Sequence, residues 1–193
     1  MPTIISTQLK NLSDNEWERL KDAHPDATVQ IEIQDVHSGM DELAFWKIID
    51  LLDFGRKSNS DIVASAEQVL SGYAVVDIYR FEDILAEKLH SLDGEAYAKR
   101  LGWGEDTFSV DQFLYARCCV VANGRAFYEK VLNAPSQMPV VYTFEPLLYL
   151  AEHAYRLKTG RDDYDYLPRV SYETFSNQVG WPQGPYLEDL LKG

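Results

Sequence analysis

The residues best suited to chemistry in this chain lie in and near the stretch SVDQFLYARCCVVANGRAFYEKVL, residues 109–132. The candidate binding residues are polar or aromatic: Asp111, Arg117, Arg125, Tyr128 and Trp103. An arginine presents a planar fork of N–H donors that matches a carboxylate or a phosphate, so the stretch could form a small-anion or nucleotide site. The simpler alternative is a helix-capping acid with an intramolecular ion pair, because a carboxylate is favoured in a first helical turn and fold motifs do not imply function.

Other motifs give weaker grounds for chemistry. Glu87 and His90 have the Glu-x-x-His spacing of helix-bundle di-iron sites, but those sites need a second copy of the motif and the sequence has none. The remaining histidines show no ligand spacing, so we predict neither a metal site nor a cofactor. No Gly-x-Ser-x-Gly elbow or phosphate-binding loop occurs, and no catalytic residue can be named.

The stretch predicts two helices folded into a hairpin. Ser109 with Gln112 three residues later is typical of a capping box, which satisfies orphan N–H groups where a helix begins. Apolar residues then recur at helical spacing, so one face of the helix is expected in a core. Gly124 is predicted to end the first helix because glycine accepts a positive φ, and Pro135 limits the second.

The spacing of apolar residues over 40–160 predicts a helical domain that contains this hairpin. Further helices are expected at 41–54, 59–71, 74–92, 95–101 and 147–159. The longest of these carries apolar residues in steps of three and four, which indicates one buried face. The fold class predicted is therefore mainly α, with a helical bundle-like domain at its centre.

Two further segments flank this domain. Residues 1–39 predict a helix–strand appendage, because TVQIEIQ at 28–34 alternates apolar and polar residues. A lone strand is not stable in water, so a two-stranded ribbon with PVVYTF at 139–144 is expected. Residues 161–193, here called the tail, are rich in Tyr, Trp, Phe and Pro. We expect an irregular tail that packs on the helical domain through its rings.

The charge of the chain limits its partners. The formal net charge is −13, which argues against nucleic-acid binding and against an anionic membrane face, because both rely on Lys and Arg. Among charged partners, this leaves a basic protein.

The cysteines and the N-terminus bear on the location of the protein. The two cysteines, Cys118 and Cys119, are adjacent and poorly placed to pair, and the N-terminus has no secretory leader pattern. A cytoplasmic location is expected.

Several segments also match a known family pattern. FWKIID at 45–50 is similar to the family's opening helix, and Leu147–Gly160 is similar to its last. In the hairpin the matching residues are Ser109, Asp111, Phe113, Arg117, Gly124, Arg125 and Tyr128. Over about residues 40–160 the chain resembles an uncharacterised bacterial family, domain of unknown function 4240. The resemblance implies a mainly helical fold and no established activity. The first acid of the family's acid pair is Val110 here, which favours a structural role for the hairpin.

Two functions follow from these observations. The favoured one is a non-enzymatic protein-binding or regulatory module whose acidic surface engages a partner. The alternative is a small-anion or nucleotide-binding protein, or an enzyme, that uses Asp111, Arg117 and Arg125. A cleft near Arg117 with converging polar groups would favour the alternative, and a flat acidic face would favour the module.

Overall fold

The computed structural model describes residues 14–25, 39–106 and 108–182. The chain divides into two compact units, Met1–Val36 and His37–Gly193. Helix α1, Asp14–Ala23, belongs to the first unit, and on it Lys21 Nζ pairs with a Glu18 carboxylate oxygen at 2.8 Å. The strand predicted at 28–34 lies outside the described residues.

The other described helices belong to the second unit. They are α2 (Glu42–Ile49), α3 (Asn59–Ser71), α4 (Val75–Ser91), α5 (Glu95–Ala98), α6 (Val110–Ala122), α7 (Arg125–Asn133) and α8 (Leu150–Thr159). Short 3₁₀ helices occupy Lys99–Leu101, Pro135–Gln137 and Glu145–Tyr149. The described part of the chain thus contains eight α-helices and no strand, and the fold is mainly α. None of the described helices is long and apolar enough to cross a membrane.

Local capping explains where several helices begin. The side chains of Asp41, Ser58 and Ser109 accept hydrogen bonds from backbone N–H groups in the first turns of α2, α3 and α6. Each cap satisfies a donor that has no partner within its helix. At the turn between α6 and α7, Gly124 has φ +86°, which confirms the predicted requirement for a positive φ.

The core surrounds α4, which packs against α2, α6 and α8. The residues predicted for its buried face all have no exposed surface: Ile78, Phe81, Leu85, Leu89 and Leu92. Helix α3 packs against α8 and α2, and α7 packs against α6. The helical spacing of apolar residues therefore identifies the buried side of α4 correctly.

Two predicted elements are wrong in detail. The helix expected to reach Phe54 ends at Ile49, where the N–H groups of Leu51 and Leu52 turn to carbonyls three residues back, those of Ile48 and Ile49. The next N–H, that of Asp53, donates to the carbonyl of Ile62 on α3 at 3.2 Å and so does not resume the helix. Residues 139–144 are not a strand. Val141 is 81% exposed, while Phe144 N donates to Tyr115 O at 3.0 Å and anchors the segment to α6.

Candidate functional site

Arg117 lies at the middle of α6 and is fully buried. Its Nη1 donates to the carbonyl oxygens of Leu89 at 3.1 Å and Tyr172 at 3.0 Å, and its Nη2 donates to Thr174 Oγ1 at 2.9 Å. Burial lowers the pKa of Arg117, and the nearby charge of Asp93 opposes that effect. An arginine remains charged even so, and this one therefore connects α4 to the tail.

Asp93, just after α4, is the second fully buried charged residue at this place. Its carboxylate accepts hydrogen bonds from Phe175 N at 3.2 Å, Asn177 N at 2.9 Å and Trp181 Nε1 at 3.0 Å. Arg117 Nη1 lies 3.9 Å from the same carboxylate. A buried charge is tolerated only when it is paired and hydrogen-bonded, and here the tail supplies most of the donors. We call Asp93, Arg117 and tail residues 171–181 the internal clamp.

Backbone and aromatic contacts close the internal clamp. The N–H of Glu95 donates to Gly180 O at 2.9 Å, and a Cβ on Gly180 would overlap the carbonyl oxygen of Asp93. The Trp103 ring lies 4.9 Å from Trp181 and 5.3 Å from Phe175, between ring centroids. Two of the predicted site residues, Arg117 and Trp103, therefore meet at the clamp, where they hold part of the chain itself.

The other three predicted site residues make different contacts. Asp111 is exposed in the first turn of α6. Arg125 is exposed on α7, and its Nε donates to Glu129 Oε1 at 2.7 Å. Tyr128 is buried, with its ring 5.4 Å from that of Trp46. The five candidates therefore do not share one set of partners, and their role in binding stays a prediction.

A cleft of about 330 Å³ lies between α3, the 3₁₀ helix Glu145–Tyr149 and α8. It is lined by Asn59, Ser60, Val63, Glu67, Glu145, Pro146, Tyr149 and His153. We call it the Glu67–His153 cleft. The sequence analysis did not predict this cleft, although its lining includes two series of residues spaced by four, 59-63-67 and 145-149-153. Such spacing places side chains on one helical face, but only the packing of α3 on α8 makes the two faces meet.

Hydrogen bonds hold both carboxylates of this cleft in place. His153 Nδ1 lies 2.7 Å from Glu67 Oε1, and the Tyr149 hydroxyl donates to Glu145 Oε1 at 3.1 Å. The bond to Glu145 raises the pKa of Tyr149. The Tyr149 and His153 rings are stacked, with centroids 6.2 Å apart. No lysine or arginine lines the cleft, so its charged groups suit a cationic ligand.

The buried polar residue Glu82 lies on α4 and is only 4% exposed. Loss of hydration raises its pKa to about 7, and the charge of Asp83 adds to the effect. Its charge also raises the pKa values of Tyr164 and Tyr172 in the tail, for which burial is the larger cause. Glu82 is therefore an ionisable group within the interface between α4 and the tail.

Metal chemistry and known relatives give no direct indication of function. Within the described ranges, no group of three or more His, Cys, Asp or Glu side chains is placed to hold a metal ion. Comparison with curated proteins and with solved structures finds no match. Residues 40–157, which contain the α6–α7 hairpin and the Glu67–His153 cleft, match the family described as "Protein of unknown function (DUF4240)", and the chain belongs to that family.

Proposed function

We propose that the chain is a non-enzymatic protein-binding or regulatory module that engages a basic partner through its acidic surface. The observation that carries the proposal is that acidic residues outnumber basic ones and most of the basic side chains are already paired with acidic neighbours. Residues 39–182 contain 22 acidic and 14 basic residues. Most of the basic residues are paired with acidic neighbours: Arg56, Arg80, Lys88, Lys99, Arg125, Arg156, Arg161 and Arg169. Since acids outnumber bases, negative charge remains to face a partner.

The contacts of the hairpin arginines give the alternative no support. Arg117 is enclosed in the internal clamp, and Arg125 bonds to Glu129. A small-anion or nucleotide site built on Asp111, Arg117 and Arg125 would need both guanidinium groups to turn from these partners to the ligand. Leaving Asp93 buried without its arginine would be costly.

We infer the following organisation for the module. Residues 40–160 form the binding domain, residues 161–193 a tail that packs on it, and residues 1–39 a separate appendage. Cys118 and Cys119 are free and buried, which fits a reducing compartment such as the cytoplasm.

Association kinetics test the proposal. The protein would be titrated with a lysine-rich peptide and with a glutamate-rich peptide of equal length, at salt concentrations below and above physiological. The lysine-rich peptide should bind, with an association rate that falls steeply as salt rises, because exposed charges act over about 8 Å at physiological salt. A salt-insensitive rate, or equal binding of both peptides, would remove charge as the driving force.

A further inference from the structure

We infer that the Glu67–His153 cleft receives a single lysine or arginine side chain of the basic partner. This inference rests on the proposed function and names the place where the partner is recognised. It starts from the cavity: at about 330 Å³ the cleft is at the small end of ligand pockets. That volume admits one long side chain, and the charges and rings of the walls, rather than the size, favour a lysine or an arginine.

The arrangement of the walls favours a cation. Glu67 and Glu145 bring two carboxylates to the cleft, on α3 and on the 3₁₀ helix before α8. Each is held by a hydrogen bond from a ring in the wall, His153 for Glu67 and Tyr149 for Glu145. Because these carboxylates are already oriented, a cationic ligand would lose less free energy in ordering them. An anion would instead meet two like charges.

The uncharged part of the lining matches the rest of such a side chain. Val63 and Pro146 offer apolar surface, on which the methylene stem of a lysine or arginine can pack. The stacked rings of Tyr149 and His153 give a flat wall, and the face of a tyrosine ring attracts a cation. The side chain of Glu67 is only 15% exposed, so a partner cation at this carboxylate would be partly shielded from water and salt.

The test is a comparison of charge-matched variants of the full chain. Glu67→Gln and Glu145→Gln each remove one negative charge from the cleft, while Glu105→Gln removes one from an exposed residue that does not line it. Affinity for the lysine-rich peptide would be measured by calorimetry, and thermal unfolding would check that each variant is folded. We expect each cleft variant to weaken binding about fivefold, and the control to change it less than about twofold.

A second measurement locates the peptide without any substitution in the cleft. When the wild-type protein is titrated with the lysine-rich peptide and followed by NMR, the ring resonances of His153 should shift in proportion to the fraction of protein bound. The ring resonances of His90, which bonds to Ser171 in the tail, should not shift. A peptide in which every lysine is acetylated should produce no shift at His153.

The outcomes separate the two proposals. Two outcomes would exclude the cleft as the binding site and leave the proposed function standing. In one, the peptide binds but all three variants lose affinity equally; in the other, the peptide binds without shifting the His153 resonances. If the wild-type protein binds no basic peptide at any salt concentration, the proposed function fails and this inference fails with it. Selective loss in both cleft variants together with the His153 shift supports the inference.

Discussion

Replacing Glu82 by glutamine should stabilise the protein at alkaline pH and leave its stability nearly unchanged in mild acid. Glu82 lies on α4 and is 4% exposed. Burial raises its pKa from 4.5 to about 7. Glutamine has the size of a protonated glutamic acid and no charge, so it reproduces the form of Glu82 that the folded protein prefers.

The sign and size of the effect follow from the two pKa values. Between pH 4.5 and about 7, the folded protein keeps a proton that the unfolded chain has released, so stability falls as pH rises. A difference of one pKa unit corresponds to about 1.4 kcal/mol. Ionised Glu82 should therefore cost the folded state about 3 kcal/mol above neutral pH, and Glu82→Gln should recover that amount.

The assay is urea unfolding of the wild type and of Glu82→Gln from about pH 5 to about pH 8, across the interval where the proton is released. The matched control is Glu87→Gln on the same helix, where the glutamate is exposed and pairs with Arg80. The difference in unfolding free energy between Glu82→Gln and wild type should grow with pH, and that for the control should stay flat. A difference for Glu82→Gln that does not change with pH would refute the reasoning.

Four further outcomes are expected. Gly180→Ala should loosen the tail and speed its cleavage in limited proteolysis, because the new Cβ would overlap the Asp93 carbonyl, whereas Gly39→Ala makes only an ordinary contact and should cleave like wild type. Gly124→Val, at φ +86°, should cost about 1 kcal/mol or more in urea unfolding, and an unchanged midpoint would contradict a strained turn. Removing the tail should lower the melting temperature because buried Trp181 is lost, and a truncated chain that melts like the full chain would argue against its packing role. DNA and RNA should show no appreciable binding at physiological salt in a filter assay, and tight binding would overturn the charge argument.

Features that depend on neighbouring residues could be predicted from the sequence alone. Helix α3 occupies the range expected for it, Asn59–Ser71, because its N-cap at Ser58 and its apolar spacing act within a few residues. The positive φ at Gly124 follows in the same way from a tight turn between two helices. The family assignment over residues 40–157 also needs only the order of residues along the chain.

Features that depend on a distant partner were decided by the tertiary structure. Asp53 does not extend helix α2 because its N–H bonds to Ile62 on α3, and residues 139–144 are not a strand but are anchored to α6 by the bond from Phe144 N to Tyr115 O. Local patterns cannot supply either fact, since a backbone N–H takes whichever acceptor the packed fold brings to it.

The fate of the candidate site residues shows the same limit. The sequence pattern predicts Arg117 as a candidate ligand-binding arginine. In the structure, Tyr172 and Thr174, more than fifty residues later in the chain, accept its hydrogen bonds. Conversely, Glu67 and His153 carry no motif, yet the packing of α3 on α8 brings them to 2.7 Å. The sequence by itself determined where most of the helices lie, the charge and the family. The tertiary structure alone decided which polar groups meet, because side-chain partners so far apart in the chain are chosen by how the helices pack.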